Sequence, residues 1–165
     1  MDKRNTLPSV ETLREKFDYN PLTGKLIYKE VSENDHWNHP GDEVRGGSCR
    51  GYERVKIDYQ SYRVHRVVWK WVYGEEPPEV IDHINGVRND NRLSNLREAT
   101  KGQNRHNRKH RGYFWSEPAK KYVSNIRVNG ETKYLGSFDC PLMAHLAYRD
   151  ASEEHYGEFA YKSKN

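Results

Sequence analysis

The sequence has little cysteine and no long apolar run. Its two cysteines, Cys49 and Cys140, lie far apart and form no Cys-x-x-Cys pair, which excludes a disulfide framework and a zinc site built from cysteine alone. No stretch approaches the roughly 20 apolar residues that a membrane span needs. The polar first residues do not resemble a signal peptide, so we expect a reducing, cytoplasmic setting.

Large aliphatic side chains are also scarce. Leu, Ile, Val and Phe account for only 30 of the 165 residues, a proportion that is common in chains that do not fold. The 12 Tyr and 4 Trp supply further apolar surface that can cover small cores. The sequence therefore predicts a folded chain, of one domain or two small ones, with a thin core.

Positive charge is concentrated in one segment. Residues 101–135 contain nine basic and two acidic residues, interleaved with Tyr113, Trp115, Tyr122 and Tyr134. Basic groups that neutralise phosphates, beside flat rings, are typical of a nucleic-acid surface. A solvated basic surface has the same composition, so composition alone leaves both interpretations open.

Short elements are predicted for the first 79 residues. Apolar spacing, a Ser9 cap and a Gly74 stop indicate two helices and several strands. They are a helix over 7–17, a strand over 25–29, a long loop over 30–51, hairpin strands over 52–57 and 61–64, and a helix over 65–73. His65, at the start of the last helix, is interpreted as a core residue or a helix-end hydrogen-bonding group.

A strand, turn, strand and helix are predicted over 80–110. Asp82 and His83 end the first strand, Asn95 starts the second, and Asn104 lies on the first turn of the helix. A neutral imidazole can take a proton from water, and a carboxylate with a carboxamide oxygen suits Mg²⁺. These residues therefore predict a one-metal phosphodiester hydrolase in which Asn95 fixes the tautomer of His83. A purely structural strand end is the alternative.

Three segments carry a family resemblance. IDHINGVRNDNRLSNLREATKGQNRHN (residues 81–107) resembles the HNH, or His-Me finger, nuclease motif in the His-Asn-Asn form of phage-type homing endonucleases. YNPLTGKLIYK (residues 19–29) and HRVVWKWVYG (residues 65–74) resemble segments that commonly precede this motif. The resemblance thus extends over residues 19–107.

The resemblance implies a role for each motif position. His83 would be the general base that activates water, and Asn95 would orient it. Asp82 and Asn104 would hold Mg²⁺, for which Mn²⁺ would substitute. Because the third position is Asn104 rather than His, a two-His or zinc-bound metal site is not expected.

The last third of the chain predicts a three-stranded sheet under one helix. Strands are indicated near Gly112–Trp115 and on both sides of the Asn129-Gly130 turn, and a helix runs from Pro141 to Tyr156. Period-two alternation directs Ser124, Ile126 and Val128 towards the helix.

Residues 112–160 (GYFWSEPAKKYVSNIRVNGETKYLGSFDCPLMAHLAYRDASEEHYGEFA) resemble the Apetala and ethylene-response-factor type of DNA-binding domain that accompanies HNH nucleases. In that family the sheet enters the major groove and the helix backs it. The resemblance assigns DNA contacts to Arg111, Asn125, Arg127, Thr132 and Tyr134. The basic block adds Arg105, Arg108, Lys121 and Lys133. Phe114 stands where the family usually has Arg, and Tyr134 where Trp is common, so the base sequence that is read does not carry over.

We therefore expect an α+β chain of two domains. Residues 1–110 would form a β-rich platform with a ββα-metal nuclease core, and residues 111–165 the DNA-binding domain. The expected protein is a homing-type endonuclease that cuts double-stranded DNA. It would be a monomer, which nicks, or a weak dimer, and if phage-encoded it would act in the host cytoplasm. A non-catalytic DNA-binding regulator is the alternative. An RNA nuclease is disfavoured, because the deep, narrow groove of RNA excludes a sheet.

Overall fold

The described residues, 6–31 and 36–162, form small antiparallel sheets and short helices in this computed structural model, and the fold is α+β as predicted. The chain divides into two compact units, residues 1–100 and 101–165. The sequence placed the boundary after residue 110 instead. The helix that was predicted to complete the nuclease core therefore belongs to the second unit.

The first unit begins with α1 (Val10–Lys16) and a two-stranded ribbon. The Ser9 hydroxyl accepts the amide of Thr12 at 3.2 Å, which confirms the predicted cap. The helix ends one residue earlier than predicted, because Phe17 is extended and starts β1 (Phe17–Asn20). This strand pairs with β2 (Lys25–Tyr28).

A three-stranded sheet follows. Its strands are β3 (Ser48–Cys49), β4 (Tyr52–Ile57) and β5 (Gln60–Arg63), with β4 in the centre. The predicted hairpin is confirmed. The predicted loop over 30–51 also contains β3 and a single bridge between Ile27 and Glu43, while its residues 32–35 lie outside the described part of the chain.

Helix α2 (Val64–Tyr73) supplies one wall of the first core. It ends at Gly74, whose φ of +75° is the left-handed conformation expected of a glycine stop. Its buried valines pack with α1 and the sheets, and half-buried Tyr and Trp side chains close the edges as the composition predicted. The buried apolar residues of this core are Leu7, Leu13, Phe17, Leu26, Val44, Val55, Ile57, Val64, Val67, Val68, Ile81 and Leu96.

The last elements of the first unit carry the predicted catalytic residues. Strand β6 (Ile81–His83) pairs with β7 (Leu96–Glu98), and one turn of 3-10 helix (Leu93–Asn95) precedes β7. Asn95 therefore ends that turn rather than opening the strand.

The second unit starts with α3 (Lys101–His106), which is shorter than the helix predicted over 101–110. Strands β8 (Tyr113–Ser116), β9 (Lys121–Val128) and β10 (Glu131–Phe138) form a sheet with β9 in the centre. Helix α4 (Pro141–Tyr156) packs on this sheet.

The core of the second unit matches the predicted alternation. Ser124 and Ile126 of β9 and Ala144 of α4 are buried. Ser152 of α4 is buried as well, whereas His155 near the end of the helix is exposed. Among the residues that the structure describes, no helix is long and apolar enough to span a membrane.

Candidate active site

Asp82 and His83 lie at the end of β6 and are nearly inaccessible to solvent, at 3% and 4% exposure. All three residues of β6 are buried, so both faces of this short strand pack against other parts of the chain. Asp82 pairs with Arg97 and His83 with Leu96 across the ribbon. The strand register thus decides which side chains surround the two residues.

The Asp82 carboxylate binds the guanidinium of Arg97. Both Nε and an Nη of Arg97 donate to Oδ2, at 2.9 and 2.8 Å. Both side chains are largely buried, so the pair is strongly charge-assisted. Removal of either partner would leave a buried charge without compensation.

A hydrogen bond from the turn after β6 sets the orientation of His83. Asn91, which is 1% exposed, donates Nδ2 to Glu53 Oε2 at 2.9 Å and therefore turns its Oδ1 towards His83 Nε2, 3.4 Å away. An amide oxygen accepts only from a protonated nitrogen. The neutral ring therefore carries its proton on Nε2 and its lone pair on Nδ1.

Burial lowers the pKa of His83. The hydrogen bond with Asn91 and the charges of Asp82 and Asp90 oppose this shift, and the charge of Arg88 adds to it. The ring is consequently neutral at pH 7, which is the form that a general base requires.

Asn95 does not make the contact that was predicted for it. Its Oδ1 accepts the amide of Asn85 at 2.9 Å, and its Nδ2 donates to the carbonyl of Asp90 at 2.8 Å. The carboxamide therefore holds both ends of the turn that carries Asn91, and Asn91 rather than Asn95 hydrogen-bonds to His83. Asn95 can therefore orient His83 only through this turn, and its orienting role stays a prediction.

Tyr19 anchors the same turn from outside. Its hydroxyl donates to the carbonyl of Asn91 at 3.1 Å and accepts the amide of Leu93 at 2.9 Å. The segment that positions His83 is thus fixed to β1 as well as to β6.

Two further rings surround His83. The His65 ring lies edge-on to it, with centroids 5.1 Å apart, and Tyr52 lies 5.8 Å from His83 and 5.3 Å from His65. His65 is 3% exposed, and its Nδ1 is enclosed without a hydrogen-bond partner. Burial lowers the pKa of His65 to about 3, and the positive charges of Arg63 and Arg66, together with that of His83 when it is protonated, act in the same direction.

A groove with a cavity volume of about 600 Å³ opens in the first unit. Its walls are the glycine-containing segment 46–53 and the segment 86–89 of the turn after β6. Arg50 and Arg88 contribute cations to the lining, and the guanidinium of Arg88 lies 5.1 Å from the Tyr52 ring centroid. Sequence reasoning left the role of residues 30–51 open, and the structure brings residues 46–51 beside the turn that follows β6.

The remaining predicted metal ligand, Asn104, lies on α3 in the second unit. Its pairing with Asp82 stays a prediction. A carboxylate with a carboxamide oxygen is donor chemistry that fits a hard ion such as Mg²⁺, which keeps waters and substrate phosphates as its other ligands. Within residues 6–31 and 36–162, no three His, Cys, Asp or Glu side chains are grouped as a metal site.

The predicted DNA-binding residues lie in the second unit, and several share one sheet face. Cross-strand partners project to the same side, so the pairs Thr132 with Arg127 and Tyr134 with Asn125 lie on the face opposite to buried Ile126. Arg127 is exposed, and Tyr134 is 65% exposed. We call the face formed by Lys121, Asn125, Arg127, Thr132 and Tyr134 the outer sheet face.

The other predicted contacts lie elsewhere in the second unit. Lys133 pairs with Ile126 and therefore projects to the α4 side, away from the outer sheet face. Arg105 lies on α3, and Arg108 and Arg111 precede β8; all three are exposed. The carbonyl of Arg111 lies 2.8 Å from His145 Nδ1 on α4.

Comparison with known families agrees with part of this assignment. Residues 62–106 match the model of a family described as HNH endonuclease. The match spans β5, α2, the β6–β7 ribbon and α3, and it supports an HNH nuclease that acts on DNA. No curated protein and no solved structure matched the chain.

Sequence reasoning missed three residues that lie around Asp82 and His83, namely Asn91, Arg97 and Tyr52, and it did not place His65, which it interpreted as a core or helix-end residue, beside His83. Asn91 was read only as part of a turn, and no local pattern distinguishes a buried turn asparagine from an exposed one. The contact between Arg97 and Asp82 could have been predicted, because the two residues lie directly opposite each other once the two strands are paired in register.

Proposed function

We propose that this chain is a homing-type endonuclease that hydrolyses phosphodiester bonds of double-stranded DNA with one divalent metal. The observation that supports this most is the state of His83. It is a buried, neutral imidazole whose Nε2 proton is directed to Asn91 and whose neighbour in sequence is a buried carboxylate. The match of residues 62–106 to the HNH endonuclease family agrees with it.

In the proposed reaction, the neutral imidazole of His83 takes a proton from the attacking water. Asn91 holds the ring through Nε2 and prevents a change of tautomer. Asp82 and Asn104 are the residues that would hold the metal, and Arg97 orients the Asp82 carboxylate. Mg²⁺, when bound there, neutralises charge that develops on the phosphate and the leaving oxygen.

The second unit is proposed to direct the nuclease to DNA as an Apetala-like domain. The outer sheet face offers an exposed guanidinium, an exposed phenol and a carboxamide on adjacent strands. Arginine is suited to guanine or phosphate, and tyrosine to sugar or a thymine methyl. With one catalytic histidine in each chain, a monomer would cut one strand and a dimer both.

Cleavage of supercoiled plasmid and long phage DNA tests the proposal. We expect metal-dependent nicks with Mg²⁺ or Mn²⁺, none with EDTA, and none for His83→Ala although this variant still binds DNA. His155→Ala, which alters an exposed histidine on α4, is the matched control and should cut normally. Open-circle product would indicate a nicking monomer, and linear product a double-strand cut.

The second candidate function is a DNA-binding regulator that does not cut. It is favoured if the wild type and His83→Ala bind DNA equally and neither cleaves a substrate that carries a mapped binding site. That outcome would overturn the endonuclease proposal and leave DNA binding intact.

A further inference from the structure

The groove between segments 46–53 and 86–89 carries an excess of positive charge. Arg50 and Arg88 line it, and an Nη of Arg88 donates to the Arg50 carbonyl at 2.7 Å, which ties the two walls together. Among the described residues that line it, Glu53 is the only acidic one. Lys25 binds one of its oxygens at 2.6 Å and Asn91 the other at 2.9 Å. The excess charge in the groove is therefore positive.

The position of the Arg88 cation is set by stacking. The guanidinium groups of Arg88 and Arg63 lie 5.1 and 4.9 Å from the centroid of the Tyr52 ring. Cation–π contacts of this kind orient an arginine and leave its N–H groups available for an anion. The same Tyr52 ring lies 5.8 Å from the ring of His83.

The groove also adjoins His83 through hydrogen bonds. Glu53, in the groove lining, binds Asn91, and Asn91 binds the ring of His83. A strand whose backbone follows the groove would therefore bring a phosphate close to the proposed general base.

Each wall of the groove contains glycine, so no side chain projects into the groove at these positions. Gly51 and Gly86 have φ values of +83° and +70°, which side chains rarely adopt, and both line the groove. A Cβ at Gly51 would lie 3.6 Å from Cδ of Arg88. A side chain at Gly51 would thus extend beside the aliphatic part of Arg88. Because glycine has no side chain, this space is left for the backbone of a ligand.

We propose that this groove binds the sugar-phosphate backbone of DNA next to the cleaved bond, with Arg50 and Arg88 as the phosphate-binding residues. The inference rests on the proposed function of the chain as a DNA endonuclease. It gives a role to residues 46–51, and it adds a DNA contact in the first unit to those proposed for the outer sheet face.

Binding is measured with the full chain carrying His83→Ala, so that the DNA stays intact, and with a labelled duplex. Backbone contacts are independent of sequence, so a duplex of arbitrary sequence suffices. In this background Arg50→Gln with Arg88→Gln should weaken binding at least about tenfold. The pair should also reduce the slope of log K against log salt by about two, one for each lost phosphate contact.

Lys56→Gln is the matched control. Lys56 is an exposed cation of the same unit that lies outside the groove, beside Tyr59. Its loss should change affinity by less than about twofold, since it makes no proposed phosphate contact. Equal affinities and slopes for the double variant and the control would overturn the proposal.

A second measurement does not depend on removing the arginines. In the His83→Ala background, with Cys49 and Cys140 replaced by Ser, a single cysteine is placed at Ser48 in the groove or at exposed Glu75 as a control. Saturating duplex should slow alkylation of the cysteine at Ser48 at least about fivefold and leave the one at Glu75 unchanged.

The outcomes separate the two proposals. Unprotected Ser48→Cys in a protein that binds DNA overturns the groove site and leaves the endonuclease proposal standing. Protection at Ser48 in a protein whose wild type never cuts DNA supports the groove and removes the nuclease. A chain that binds no DNA at all overturns both.

Discussion

His65 should make the first unit sensitive to acid, and the substitution His65→Leu should remove this sensitivity. Burial holds the pKa of His65 at about 3 in the folded chain, against 6.5 for the ordinary side chain. The unfolded chain therefore takes up a proton near pH 6.5, whereas the folded chain does not until about pH 3. The stability that neutral His65 contributes is fully present above pH 6.5 and is lost as the pH falls.

The magnitude follows from the two pKa values. Between pH 7.5 and pH 4.5 the unfolded His65 becomes protonated and the folded His65 does not, which lowers the free energy of unfolding by about 3 kcal/mol. The pKa of His83 is lowered as well, so His83 also makes the folded chain less stable at acid pH. His83 is present in both the wild type and His65→Leu. The difference between the wild type and His65→Leu isolates the His65 contribution.

The assay is urea unfolding at a series of pH values. Trp69 and Trp71 pack against the core of the first unit, so their fluorescence reports its unfolding once Trp37 and Trp115 are replaced by Phe in both proteins. The wild type should lose about 3 kcal/mol more than His65→Leu from pH 7.5 to pH 4.5. Parallel stability curves would refute the reasoning, because they would mean that His65 takes up its proton equally in both states.

Three further changes have expected outcomes. Arg97→Met should destabilise the first unit by about 3–5 kcal/mol, measured by urea unfolding, because it removes the cation that pairs with the buried Asp82 carboxylate. Adding Asp82→Asn to this variant should restore most of the lost stability. Asn95→Ala removes two hydrogen bonds from the turn after β6 and should cost about 1–3 kcal/mol. Faster amide exchange in that turn would accompany the loss, and unchanged exchange would contradict it. Arg127→Ala on the outer sheet face should weaken duplex binding at least about tenfold, whereas Lys133→Ala on the opposite face should change it less than about threefold. Equal effects of the two variants would argue against DNA binding by the outer sheet face.

Many of the elements were predictable from local patterns. The Ser9 cap, the Gly74 stop and the hairpin turn at Asn129-Gly130 act on neighbouring residues, and each occurs where the sequence predicted it. Boundaries were less predictable. Phe17 fits the apolar face of α1, yet it is extended, because pairing of β1 with β2 offers its backbone and side chain a better-packed position.

The candidate site was predictable only in part. Asp82 and His83 are adjacent in sequence, and the motif around them is recognisable from the sequence alone. The orienting residue was assigned to Asn95, but Asn91 makes the contact, because the turn folds back and Asn95 is used to hold it.

The sequence by itself determined the candidate residues Asp82 and His83, the types of element around them and the concentration of positive charge in the second unit, since these depend on residue type and short-range spacing. The tertiary structure decided what surrounds that pair. His65 reaches His83 from α2, Arg97 reaches Asp82 across a strand pair, and Arg50 meets Arg88 at a groove. These contacts join residues that are distant in the chain, and only packing of one small core brings them together.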